Sequence, residues 1–278
     1  MVPMKTWTTK KIREAKGVGT RLACLTAYDF TTARIMDSVG IPLILVGDSL
    51  GMTMLGYANT LPVTLEHMIH HTAAVSRGVA NALVVADMPF MTYQVSDEQA
   101  LTNAGRLLQE GGADAVKIEG GGSRVSRVAR LTECGIPVLA HIGLTPQSVN
   151  QVGGFKLQGK SADDARRLLD DAVALAEAGA FAIVLECIPS PLARAITEAV
   201  PIPTIGIGAG PSCDGQILVY HDMLGLNDAF QPTFVKRYAA LADTMRQAFS
   251  AYVEEVAYGV FPSVAQSFGA KTEKGPAT

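Results

Sequence analysis

Five residues have types and positions that could do chemistry together: Asp48, Asp87, Lys117, Glu119 and Glu186. Each stands in or at the end of a short apolar run. Asp48, Asp87 and Glu119 offer only oxygen donors, the preference of a hard cation such as Mg2+, and no His/Cys cluster with zinc-like spacing accompanies them. Lys117 and Glu119 are two apart in an extended segment and therefore share a face. If Val116 and Ile118 turn toward covering helices, that shared face points inward. A buried lysine and carboxylate are costly without partners. A lone strand-end acid more often caps a helix or pairs with a neighbouring Lys or Arg. Three such acids with Lys117 at adjacent strand ends argue for a site instead. Glu186 closes AIVLEC and is expected among apolar neighbours, where burial raises a carboxyl pKa and makes a useful base. His141 reads equally as a buried structural histidine or a functional one, and His67, His70 and His71 read as helix surface. GIGAG at 206–210 invites a phosphate-cradle reading, but glycines also let a chain turn tightly beside a crowded site. EGGGS at 119–123 carries the same ambiguity.

Positioning these groups requires strands that end at one place. Eight apolar runs, rich in Val and Ile and not alternating, read as strands buried on both faces: 22–28, 43–49, 82–88, 115–120, 137–143, 181–187, 203–209 and 217–223. Helix signals fall between them. Ser96 with Gln99 reads as a capping box, Ser161 precedes Asp163 and Asp164 in a first turn, and Ser190-Pro191 reads as an N-cap with proline at N1. Strands alternating with helices give a parallel sheet covered by helices, and eight of them favour a (β/α)8 TIM barrel over an open doubly wound sheet. About seven residues separate the last two runs, so a truncated or single-turn helix is expected there. Residues 50–63 and 144–160 are long connections after strand ends and candidate lids. Residues 5–17 predict a short N-terminal helix outside the barrel.

Length and composition agree. The chain has 278 residues, 48% of them apolar and 18% charged, with a formal net charge of −3. That suits a single barrel domain over 1–262, followed by a tail at 263–278 with little to bury and expected to be disordered. No Lys/Arg run points to nucleic acid or an anionic membrane surface. The four cysteines are scattered, as in a reducing compartment, and neither a secretory h-region nor a membrane-length apolar run is visible. The expectation is a cytoplasmic globular protein.

Longer motifs carry a resemblance. LTAYDF (25–30), VGDSLGM (46–52), TLPVTLEHMIHHTAAVSRG (60–78), ADMPFMTY (86–93), VKIEGG (116–121), HIGLTPQSVN (141–150), LECIP (185–189) and IGIGAGPSCDGQILVYHDMLG (205–225) together resemble the ketopantoate hydroxymethyltransferase family of pantothenate biosynthesis. The resemblance runs in order from about residue 5 to 260. It implies a (β/α)8 barrel, Mg2+, a 2-oxo acid substrate, 5,10-methylenetetrahydrofolate as one-carbon donor, and a homo-oligomer, commonly a decamer. Carried over by motif, Asp48 and Asp87 are metal ligands that also contact substrate, and Glu119 completes the metal shell directly or through water. Ser49 and Lys117 hold the substrate carboxylate, and Glu186 is the base. Two rivals share the barrel. One is a Mg2+-dependent C–C lyase of the phosphoenolpyruvate mutase and isocitrate lyase kind, expected to carry a reactive cysteine in a mobile loop; neither long loop has one. The other is a non-catalytic 2-oxo acid sensor, which would have no use for Glu186.

Overall fold

The eight apolar runs become eight parallel strands that pair in chain order and close through β1 and β8, so the chain adopts the (β/α)8 barrel expected of it. The computed structural model describes residues 5–154, 156–228 and 231–268. The first half contains α1 (Thr9–Glu14), β1 (Leu22–Thr26), α2 (Phe30–Ser38), β2 (Leu43–Val46), α3 (Leu50–Thr53), α4 (Leu65–Gly78), β3 (Leu83–Asp87), α5 (Asp97–Gln109) and β4 (Ala115–Glu119). The second continues with α6 (Val125–Glu133), β5 (Val138–Gly143), α7 (Val149–Val152), α8 (Ala162–Glu177), β6 (Ala182–Glu186), α9 (Ser190–Ala199), β7 (Thr204–Ile207) and β8 (Gly215–Leu218).

Side-chain caps start several helices. Asp29 Oδ1 accepts from Thr32 N–H, Ser96 Oγ from Gln99 N–H and Ser161 Oγ from Asp164 N–H. The box expected at Ser96 is half formed, because Gln99 Oε1 turns to Val95 N–H instead of Ser96. Helix α9 begins one residue before the expected N1, with Ser190 already helical and Pro189 as N-cap.

Alternation along each strand decides what faces inward. Leu22 and Cys24, Leu43 and Leu45, Leu83 and Val85, Ala115, Leu139, Val184, Ile205 and Ile217 fill the barrel interior. Ile12 of α1 is fully buried among them. The N-terminal helix is otherwise half-buried or exposed, and Ile12 alone of its residues enters the interior packing. It plugs the interior with a side chain whose burial contributes roughly 1.5–3 kcal/mol. Continuing with the same parity places Asp87, Lys117, Glu119, His141 and Glu186 above this apolar packing, while Val116 and Ile118 are buried on the opposite face.

The link from β7 to β8 departs from expectation. Residues 208–214 form turns and bends with no helix. A Cβ at Gly208 (φ +65°) would lie 3.0 Å from the Phe234 ring, and one at Gly210 (φ +80°) 2.4 Å from Ser190 Oγ. Close packing thus accounts for these GIGAG glycines. The last strand starts at Gly215 rather than 217, and Tyr220–Met223 form a helical turn, α10. Apolar content marked burial in that stretch but not which residues enter the ladder.

Of the described residues, those up to Tyr220, with Pro232–Val235, form one compact unit that holds the barrel, and those from His221 to Gln231 and from Lys236 to Phe268 form a second. The second contains α11 (Leu241–Ala257), none of whose residues is buried, with Arg246 paired to Asp243 and Asp228. Of the tail expected at 263–278, Val264–Gln266 form a 3-10 turn and residues 269–278 lie outside the described ones. Among the described residues no helix is long and apolar enough to cross a membrane.

Candidate active site

The carboxyl ends of β2 to β6 supply the polar groups. At β2 the chain turns through Gly47, where a Cβ would lie 2.8 Å from Ser49 Oγ, and this close turn presents Asp48. Asp48 N–H donates to Asp87 Oδ2 at 3.2 Å, tying β2 to β3. On β4, Lys117 Nζ sits 2.8 Å from both Asp87 oxygens and 3.5 Å from Glu119 Oε1. On β5, His141 Nδ1 lies 3.4 Å from Glu119 Oε1 and its Nε2 lies 3.2 Å from Glu186 Oε2 at the end of β6. Neither ring nitrogen is aligned for a hydrogen bond, so this contact is an attraction of charges. Strand register sets the order, with Asp87 opposite Lys117, Glu119 opposite His141 and Gly143 opposite Glu186. Gly143 has φ +96°, and a Cβ there would be 2.2 Å from the Glu186 carbonyl oxygen, so only glycine lets β5 pass so close.

Burial and mutual charge set the protonation tendencies. Asp48 is raised well above the usual carboxylate range, first by burial and then by repulsion from Asp87 and Glu119. Burial also raises Asp87, although Lys117 opposes it. Burial pushes Glu119 the same way, but Lys117 and His141 outweigh it and hold it below its ordinary value. Desolvation works against the Lys117 charge, yet Asp87, Glu119 and Asp48 together keep the ammonium above its ordinary value. His141 is pushed up to about 9: burial and Lys117 oppose its charge, and Glu119 and Glu186 more than compensate. Four acidic groups thus surround two basic ones, an excess of acids that the upward shifts of Asp48 and Asp87 reflect.

That excess, on oxygen donors alone, fits a divalent cation. As they stand, no three His, Cys, Asp or Glu side chains among the described residues are close enough together to hold one. Lys117 occupies both oxygens of Asp87, and a cation has to share them with the ammonium.

The structure therefore brings Asp48, Asp87, Lys117 and Glu119 into one cluster and joins Glu186 to it through His141. Glu186 does not sit in apolar surroundings as its run suggests; its side chain is 17% exposed and its near neighbour is an imidazole. The neighbouring residue on the same strand face cannot be read from the strand's own sequence. Ser49 Oγ pairs with Tyr28 OH at 2.8 Å. His67 caps α4 with Thr64 and His71 Nδ1 meets the Tyr28 carbonyl at 2.7 Å, in keeping with helix-surface roles. Cys187, next to Glu186, holds φ +47°; burial and then the Glu186 charge push its thiol up to about 12, so it stays protonated near neutrality.

Two functional neighbours escape a reading by strand ends, Gln147 and Tyr93. Gln147 lies in the 3-10 turn Pro146–Ser148 after β5, inside the connection expected to be a lid. The two ends of that connection are tied to the end of β6: Leu144 N–H donates to the Glu186 carbonyl and Gln158 N–H to the Cys187 carbonyl. In the 50–63 connection Leu50, Gly51, Thr60 and Val63 are buried, while Met52 and Met54 are exposed. Gln147 Nε2 donates to Asp48 Oδ2 and Met88 O, both at 2.9 Å, and its backbone N–H donates to Glu119 Oε2 at 3.0 Å. Tyr93 OH donates to Gln147 Oε1 at 2.8 Å and accepts from Glu119 N–H at 3.2 Å. The only sequence signal was the position of HIGLTPQ directly after an inward-facing histidine.

Comparison with known proteins adds to this geometry. A family model described as ketopantoate hydroxymethyltransferase matches residues 6–264. The 3-methyl-2-oxobutanoate hydroxymethyltransferase of Syntrophus aciditrophicus is 58% identical over 261 residues, 94% of this chain and 96% of the relative. That of Clostridium novyi is 58% identical over 94% of this chain and 95% of its own length. Among solved structures, the phosphoenolpyruvate phosphomutase of Streptomyces platensis subsp. rosaceus matches with a TM-score of 0.61 at 15% identity, covering 89% of this chain and 88% of that one. 2,3-Dimethylmalate lyase, a PEP mutase/isocitrate lyase superfamily member, matches with a TM-score of 0.58 at 18% identity, covering 97% and 92%. At those identities the structures speak for the fold alone.

Proposed function

The chain belongs to the ketopantoate hydroxymethyltransferase family, and from that premise we propose that it transfers a hydroxymethyl group from 5,10-methylenetetrahydrofolate to 3-methyl-2-oxobutanoate, giving 2-dehydropantoate. The observation that carries the proposal is the row of Asp87, Lys117, Glu119, His141 and Glu186 on one interior face, with Asp48 beside it and acidic groups outnumbering basic ones. Asp48, Asp87 and Glu119 would hold Mg2+. When bound, Mg2+ supplies Lewis acidity toward the 2-oxo acid.

The chain's own groups do the rest. Lys117, kept charged by its three acidic neighbours, and Ser49 hold the substrate carboxylate, which Asp48 and Asp87 also adjoin. Glu186 takes the C3 proton, and its approach is set by the His141 imidazole against Oε2. The resulting carbanion equivalent at C3 bonds to the one-carbon unit of the folate; overall, one water supplies the hydroxyl, both carbon–nitrogen bonds of the methylene bridge break, and tetrahydrofolate leaves carrying the C3 proton and one proton of the water. The protein acts in the cytoplasm as a homo-oligomer, a decamer by family resemblance, and the exposed apolar side chains Met245, Phe249, Tyr252 and Val253 of α11 support self-association.

Proton NMR of 3-methyl-2-oxobutanoate in D2O with protein and Mg2+ tests the proposal. The C3 signal is expected to disappear without folate, and a hydroxymethyl signal to appear with methylenetetrahydrofolate. Glu186→Gln should retain substrate and cation binding and lose the exchange; normal exchange in that variant refutes the base. The lyase reading draws only on the fold neighbours, and exchange without folate-dependent transfer would favour it.

A further inference from the structure

Gln147 is a neutral side chain buried at the centre of a charged site. Its amide has one possible orientation. Nε2 faces Asp48 Oδ2 and the Met88 carbonyl, both at 2.9 Å, and the carbonyl can only accept. Turning the amide over would set Oε1 against two oxygens and Nε2 against the Gln94 amide nitrogen, which stands 3.4 Å from Oε1. Tyr93 OH, donating to Oε1 at 2.8 Å, locks the same orientation.

The residue reaches two acids from two strands at once. Its side chain holds Asp48 Oδ2 and its backbone N–H holds Glu119 Oε2 at 3.0 Å, so each carboxylate has one oxygen committed. The other oxygen of Glu119, Oε1, is the one turned to Lys117 and His141. A carboxylate rotates freely about its last bond unless something holds an oxygen, and a donor on one oxygen decides where the other points.

We propose that Gln147 is a positioning residue of this site: it fixes the rotation of the Asp48 carboxyl so that its second oxygen is held for a divalent cation, and of the Glu119 carboxylate so that Oε1 stays turned to Lys117 and His141. Tyr93 serves it by fixing the amide. The proposal rests on reading these acids as a cation site. It does not make Gln147 a ligand or a group that touches substrate. A residue that merely anchored the 144–160 connection would alter stability and leave cation affinity alone.

The test is Mn2+ binding to the full chain, followed by the EPR signal of free Mn2+ without substrate, alongside urea unfolding and near-UV circular dichroism. Gln147→Met keeps the length and the backbone N–H and removes the side-chain donor. It is expected to weaken Mn2+ binding about tenfold, the scale seen when an outer partner of a metal ligand is removed, with a native spectrum. Tyr93→Phe, which deletes one hydroxyl, is expected to weaken binding in the same direction by a smaller factor, and it carries the test if the first variant does not fold. Asp87→Ala separates the two levels of the argument. If Asp87→Ala abolishes binding while Gln147→Met and Tyr93→Phe stay within twofold of the parent, the positioning role is overturned and the cation site stands. If the parent protein binds no Mn2+, the cation reading falls and the proposal with it.

Discussion

Lys117→Met is the sharpest test of the site's electrostatics. Lys117 Nζ lies 2.8 Å from both oxygens of Asp87 and 3.5 Å from Glu119, and the three side chains are 5%, 2% and 3% exposed. Methionine preserves the stem's volume and deletes the charge. Removing one partner of a buried pair leaves the other uncompensated and costs about 3–5 kcal/mol, a large share of the roughly 5–15 kcal/mol available to a folded domain. The sign with pH follows from linkage. In the variant, Asp87 and Asp48, already raised by burial, are raised further above their unfolded values of about 3.9. Their penalty is absent below the unfolded pKa and grows as pH rises through the folded one. Urea unfolding should therefore show the full loss near neutrality and a smaller one toward pH about 4. Adding Mg2+ should restore part of the loss near neutrality, because it replaces the missing positive charge. A loss independent of both pH and Mg2+, or one below about 1 kcal/mol, would refute the reasoning.

Four further variants probe the frame. Ile12→Ala should cost about 3 kcal/mol in urea unfolding by emptying the plug of the barrel interior, whereas Ile35→Ala, at a position 57% exposed, should change stability by less than about 0.5 kcal/mol. Gly143→Ala meets both a positive φ and a carbonyl 2.2 Å from its new Cβ, and should lower the unfolding midpoint by an amount equivalent to about 3 kcal/mol or more. Asp37 accepts from the backbone N–H groups of Ala80, Asn81 and Ala82. Partial burial raises its pKa, but these donors outweigh it and bring it below the ordinary value. Its contribution is present above the unfolded pKa and lost as pH falls through the folded one, so Asp37→Ala should cost about 2 kcal/mol at neutral pH and converge with the parent in urea titrations below pH about 4.

What the chain discloses without coordinates follows from period two. Lys117 and Glu119 share a face, and the apolar residues before Asp87, His141 and Glu186 fix which face that is. The barrel and most of the charged row are legible for that reason. A side chain's direction is a local matter, whereas its neighbours come from other strands and from loops. Glu186 was expected among apolar groups because its own strand is apolar, yet His141 is contributed by the strand next to it. Gln147 was invisible because a polar residue in a polar loop carries no mark of burial. Helix α1 looked detached because only Ile12, a single apolar position in a charged segment, enters the core.

The barrel has one joint unlike the others. Each strand from β1 to β8 meets its successor through a connection in the chain, but β8 meets β1 only in space, along Leu22↔Gly215, Ala23↔Gln216, Cys24↔Ile217 and Leu25↔Leu218. Lys16 clasps the same joint by pairing with Asp214, 198 residues away in sequence. Bringing such distant partners together carries the largest loop-closure entropy of any contact in the sheet. A chain emerging from the ribosome presents β1 first and must hold that strand's edge unpaired until Gly215–Leu218 appears. The circle can therefore shut only late in synthesis, after the strands from the middle of the chain that carry the charged row have all emerged.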